Sequence, residues 1–315
     1  MGDYLKLFET HSEYEAYSGG EMLKPNVSYC EDNNEVHYNP YVHDYSQDYL
    51  TFIANESGTF TFTPMNYNTI SYSIDNGETW TVGNSVTVNS GNKVLWKGSM
   101  TPNNSGIGAF SSTANFDAQG NIMSLLFGDE FIGKVDLTGK DYAFNSLFNN
   151  SKIMSAENLI LPATTLIKYC YLSMFLNCAL LTIAPELPAT TLKTYCYQTM
   201  FQGCTSLTIA PKLPATALTT NCYYSMFKGC TSLITIPELP AINLANNCYG
   251  YMFNGCSSLN YIKAMFTTTP STNYTNKWLA GVSSGGTFVK NSAATWNVTG
   301  SDGIPRGWTV ETASA

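Results

Sequence analysis

Four near-copies of one 26-residue unit fill the middle of this chain, and they restrict its fold more than any other feature. The pair Leu-Pro recurs at Leu161, Leu187, Leu213 and Leu239 without insertion or deletion. Cysteine recurs in step at Cys170, Cys196, Cys222 and Cys248, and again at Cys178, Cys204, Cys230 and Cys256. A Met-Phe pair follows the same rhythm from Met174, Met200, Met226 and Met252. A unit this short cannot enclose an apolar core by itself, so successive copies must stack and bury one another.

Within one copy, Leu192, Cys196, Tyr197, Met200, Phe201 and Cys204 are spaced by fours and ones, which predicts one stripe on a short helix. The following "SLTIAP" alternates and predicts a short strand, with Leu207 and Ile209 on its buried side and Thr208 and Ala210 on the other. Pro211 ends that strand because it has no N–H to donate. Strand plus helix in so few residues would set consecutive strands parallel and in register.

The cysteines read as core residues. Cys196 and Cys204 would lie about 12 Å apart along a helix, beyond the roughly 7 Å a disulfide spans. Equivalent cysteines on adjacent helices would be about 8–10 Å apart, and a ladder does not converge on a metal as a zinc site does. Nine cysteines is an odd total, with Cys30 outside the repeats, and small buried thiols account for it best.

The unit "CYxxMFxGCTSLTxAPxLPATTL" resembles the BspA-type leucine-rich repeat of gut Bacteroides and their phages, over Leu161 to Phe266. The flank "DYAFNSLFNNSKIMSAENLILP" (Asp141 to Pro162) resembles a degenerate capping copy. The tail "GTFVKNSAATWNVTGSDGIPRGWTV" (Gly286 to Val310) resembles the segment that closes many such chains. The resemblance implies a leucine-rich-repeat horseshoe and a binding role without catalysis.

Ahead of the repeats, Leu50 to about Leu126 alternates apolar and polar residues between Asn-Gly and Ser-Gly turns, the pattern of a small β-sandwich. The chain is therefore predicted to be α+β and mostly β: a small antiparallel β-sandwich followed by a leucine-rich-repeat solenoid of strand plus short helix. Its predicted domains are an N-terminal adaptor or attachment module (1–48), the sandwich (49–127), the repeats with their N-terminal cap (128–266) and a C-terminal cap (267–315).

"SIDNGETW" (Ser73 to Trp80) fits the S-x-D-x-G-x-T-W Asp box of sialidase propellers. Its physical content is a hairpin turn in which Asp75 caps amides, Gly77 takes positive φ and Trp80 packs beneath. Sialidases hold their substrate carboxylate with three arginines, whereas Arg306 is the single arginine among 15 basic residues here. The box reads as structure.

"PNVSYCEDNNEVHYNPY" (Pro25 to Tyr41) resembles an N-terminal module of structural and fibre-like proteins of Bacteroides phages, which implies attachment to a particle. His37 and His43, with Glu31, Asp32 and Glu35, match no metal-coordination spacing and read as surface residues. No metal or cofactor is predicted.

A net charge of −8 and one arginine supply no basic face for phosphate contacts, so nucleic-acid binding is not predicted. No run approaches the ~18 apolar residues of a membrane span, and the start "MGDYLKLFETHSEYEAY" lacks a signal-peptide pattern. The three histidines (His11, His37, His43) are far in sequence from the repeat cysteines, and no Gly-rich phosphate loop is present. The sequence predicts a non-enzymatic protein.

Two functions suit these features. The first is a virion fibre or decoration protein, with other virion proteins or further copies of itself (a homo-oligomer such as a trimer) as partners. The second is a bacterial cell-surface adhesin that binds a host or neighbouring-cell glycan or protein. Either would use the outward residues of the repeats. On the strand these are Thr182, Thr208, Ile234 and Asn260, then Glu186, Lys212 and Glu238; on the helix they are Leu176, Gln202, Lys228 and Asn254.

Overall fold

The computed structural model describes residues 44–313 and, before them, the backbone of three short strands. The chain divides into two compact units, Met1–Asp48 and Tyr49–Ala315. In the first, β1 (Leu7–Phe8) and β2 (Tyr29–Asp32) pair antiparallel with the two edges of β3 (Glu35–Tyr38). His11 and His43 lie outside the described residues.

The second unit begins with two sheets. One has the order β10-β5-β8, from β5 (Gly58–Pro64), β8 (Ser85–Val88) and β10 (Gly108–Ser112). The other is built from β4 (Leu50–Ala54), β6 (Ile70–Ser73), β7 (Thr81–Val82), β9 (Lys93–Gly98), β11 (Phe116–Asn121) and β12 (Ile153–Ile160). Its order is β12-β11-β4-β9-β6-β7. Alternation puts Phe60 and Phe62 of one sheet, and Phe52, Trp96 and Phe116 of the other, into a shared interior. Phe52 meets Phe60 edge-on at 5.4 Å and Phe110 at 4.7 Å. Each such pair adds about 0.5–1.5 kcal/mol beyond area burial. β11 runs antiparallel to β4 but parallel to β12, so the sheet is mixed and joins the strands before the repeats to the segment that leads into them.

The predicted leucine-rich-repeat solenoid with a helix in each unit does not form. The one α-helix among the described residues is α1 (Ser124–Phe127), a single turn that precedes all four copies. The stripe from Leu192 to Cys204 folds instead into successive tight turns. The N–H groups of Cys196, Gln198, Met200, Gln202 and Cys204 donate to carbonyls three residues back. Those of Tyr195, Tyr197, Thr199, Phe201 and Gly203 donate to Thr220, Cys222, Tyr224, Met226 and Lys228 of the next copy, at 2.8–3.3 Å. A helix would bond each N–H four residues back.

The turns carry the stripe on a period of four residues, which lies close enough to the 3.6 of an α-helix to suit either. Tyr195, Thr199 and Gly203, also four apart, take φ of 62°, 54° and 77°. An α-helix cannot contain that left-handed backbone.

In the first three copies the predicted strand is also reduced, to isolated parallel bridges such as Ile209↔Thr235 and Thr235↔Tyr261. The Leu207 N–H closes a turn onto Cys204, so Leu207 belongs to a turn and not to a pleated run. Leu207 and Ala210 point inward, and Ile209, expected inside, points out.

Stacking does bury the repeated residues, and it aligns them. Phe175, Phe201, Phe227 and Phe253 form a column with centroids 5.4, 5.5 and 5.7 Å apart and nearly parallel rings. The column continues backwards through Phe148 (5.3 Å) to Phe110 of β10 (5.9 Å), so one run of rings links the repeats to the two-sheet core. At the far end Trp278 covers Tyr249, and a parallel sheet of β13 (Tyr261–Ala264), β14 (Thr287–Lys290) and β15 (Thr309–Thr312) follows.

Candidate interaction surface

Because copies stack in register, one position repeated in sequence becomes a column on the surface. Thr182, Thr208, Ile234 and Asn260 are all exposed, and Ile234 donates its N–H to the Thr208 carbonyl at 3.0 Å, which ties two members of that column directly. Beside them runs a second column, Ile183, Ile209, Thr235 and Tyr261. The apolar members are open to solvent: Ile183 44%, Ile209 65%, Ile234 47% and Tyr261 37% exposed.

The charged border is Glu186, Lys212 and Glu238, all exposed. Glu238 forms a 2.7 Å ion pair with Lys263, which follows it in the next rung, and that hydrogen bond raises the Lys263 pKa. The column therefore alternates acid, base, acid, base.

Gln202, Lys228, Asn254 and Leu176 lie elsewhere, half-buried in the turn layer. Lys228 sits 5.6 Å from the Tyr251 ring, and Asn254 donates its side-chain amide to the Lys277 carbonyl. Lys228 and Asn254 are thus engaged with the segment that follows their own copy, and all four residues belong to the turn layer and not to the strand-side columns.

Ile183, Ile209, Thr235, Tyr261 and Lys263 were missed by sequence reasoning. The signal was available between copies. Position 209 is Ile, Ile, Thr and Tyr across the four, whereas position 210 stays small or aliphatic as Ala, Ala, Ile and Ile. A position that tolerates Thr and Tyr is an outward one.

The Asp-box turn is a closed structural device. The Asp75 carboxylate accepts from Ser73 Oγ at 2.6 Å, from the Thr79 N–H at 3.0 Å and from Thr79 Oγ1, and Gly77 takes φ 92°. These bonds hold the Asp75 pKa down at about 2, Ser73 contributing most. Trp80 packs against Tyr49 at 4.8 Å, with Lys97 Nζ 4.0 Å over its ring. Lys97 also pairs with Asp129 at 2.6 Å, and Asp129 accepts from Tyr49 Oη at 2.7 Å. Burial, then Asp129, raises the Tyr49 pKa to about 12. Ser73, Asp75 and Thr79 thus bond one another, as do Tyr49, Lys97 and Asp129.

The repeat cysteines are free thiols, fully buried. Burial pushes Cys170, Cys248 and Cys256 up to about 12 and Cys178 to about 11, so the nucleophilic thiolate is suppressed at neutral pH. Among the described residues no three His, Cys, Asp or Glu side chains converge as metal ligands. No described helix is long and apolar enough to cross a membrane. No family model, curated protein or solved structure matches the chain.

Proposed function

We propose that this chain is a non-catalytic structural and binding protein: a phage virion fibre or decoration protein. It attaches through its N-terminal unit and displays the exposed columns of its 26-residue repeats. The observation that carries this reading is the division of labour within each copy. Interior positions hold the same Cys, Tyr, Met and Phe residues in every copy, whereas the outward pairs Thr182/Ile183, Thr208/Ile209, Ile234/Thr235 and Asn260/Tyr261 vary. Such a build keeps the scaffold constant and leaves its display face free to change. The inert thiols and the self-satisfied Lys97–Asp129–Tyr49 cluster favour display over catalysis.

Mass spectrometry and immunogold microscopy of purified particles, with an antibody against residues 49–315, test the reading. Labelling of the particle surface is expected. Particles that lack the chain, together with labelling of intact bacterial cells, would overturn it in favour of the cell-surface adhesin.

A further inference from the structure

The charged border of the display face has a symmetry of its own. Read along the stack it runs Glu186, Lys212, Glu238, Lys263, and reversing the order inverts every sign. The two columns beside it show a second inversion: Thr208/Ile209 on one rung becomes Ile234/Thr235 on the next. Together these make the face complementary to its own reversed copy.

We infer that this face pairs with the same face of a second copy, about a two-fold axis that lies in the interface between the rungs of Lys212 and Glu238. This rests on reading the columns as a binding surface, and it names the partner. The axis reverses the stacking direction and keeps each column opposite itself. Lys212 then meets Glu238 of the second copy and Glu186 meets its Lys263, each extending the Glu238–Lys263 pair that a single chain already makes. Thr208 meets Ile234 and Ile209 meets Thr235, a small side chain against a large one at both positions. Moving the axis onto the Lys212 rung sets Lys212 against itself and Glu186 against Glu238, so like charges select the register. The pairing also covers Ile183, Ile209 and Ile234, which the chain otherwise leaves in water.

The size of the face sets its strength. Four rungs at about 4.8 Å by five residues at about 3.3 Å cover roughly 300 Å² a side, well under the ~800 Å² of a standard interface. The association is therefore weak and reversible. It becomes effective where copies are already held close together.

Sedimentation velocity on the full chain, from about 10 µM to about 1 mM, tests the pairing. The unaltered chain should shift from monomer to dimer across that range. Lys212→Glu and Glu238→Lys should each weaken the dimer about tenfold or more, and the double exchange should restore it, because acid, acid, base, base is also antisymmetric. Ile209→Glu should abolish it. Thermal melts of Lys212→Glu and Ile209→Glu should match the parent, as these side chains are exposed, and the two variants with Glu238→Lys should melt slightly lower for loss of the in-chain pair with Lys263. A monomer throughout, a trimer, or a dimer indifferent to Lys212→Glu and Ile209→Glu would overturn the inference. Particle labelling reports the setting and sedimentation reports the pairing, so either proposal can fail while the other stands.

Discussion

The thiol of Cys230 donates to the carbonyl oxygen of Phe201, 29 residues earlier and 3.0 Å away. The same bond runs from Cys178 to Phe148, from Cys204 to Phe175 and from Cys256 to Phe227. The second cysteine of each copy is thus more than a small apolar filler: it gives a second donor to a buried carbonyl that already accepts a turn N–H, as Phe201 does from Cys204. Cys230→Ala removes both the donor and the sulfur's volume. It should cost about 1–3 kcal/mol in denaturant melts, and Cys230→Ser should cost less than Ala if the hydroxyl takes up the same bond. Equal losses in the two variants would show that packing alone matters.

Reactivity follows from burial. In native protein the eight repeat thiols should resist a water-soluble disulfide reagent at pH 8, and in denaturant all eight should react. Rapid modification of the folded chain would contradict the packing of the column.

Alkaline pH should unfold the stack. The folded pKa values of Cys170, Cys178, Cys248 and Cys256 lie above their ordinary 9.0. Their full contribution to stability is therefore present below pH 9 and is lost as pH rises towards 11 to 12, because only the unfolded chain releases those protons. Each thiol contributes a slope of about −1.4 kcal/mol per pH unit in that window. The buried tyrosines Tyr171, Tyr197, Tyr223 and Tyr249 act in the same direction. Circular dichroism across pH 8 to 12 should show a steep loss of structure, and a flat profile would contradict it.

Asp75 should act at the other end of the scale. Its depressed pKa means that its contribution is present above the ordinary carboxylate value of 3.8 and is lost as pH falls through about 2. Asp75→Asn should lower the melting temperature at pH 7 and remove the difference between the two proteins below pH 2.

Gly229 takes φ 76°, and a Cβ there would meet nothing closer than 3.9 Å. Gly229→Ala should therefore cost only the left-handed backbone, about 1–2 kcal/mol, with Gly229→Asn closer to neutral. Gly203→Ala should cost a similar amount, because the atom its Cβ would press on is the tip of the exposed Asn177 side chain, which can turn aside. Neutral alanines at both positions would contradict the turn geometry.

The interior could be read from the sequence because burial depends on periodicity. A strict 26-residue repeat of Cys, Tyr, Met and Phe has to be stacked and dry whatever the backbone does. The type of local structure could not be read that way. The stripe at Cys196, Tyr197, Met200 and Phe201 suits both a helix and a run of four-residue turns. What separates them is where the N–H of Tyr197 finds its acceptor, and that is Cys222 in the next copy. For the candidate surface, Thr208, Lys212 and Glu238 were identified from the variation between copies, but Ile209 was placed inside by a pleat that the turn at Leu207 prevents. Which residues repeat was determined by the chain alone. Which bonds they exchange, and so which face they leave to water, was decided only by stacking, because each copy satisfies half of its turn amides with its neighbour and not with itself.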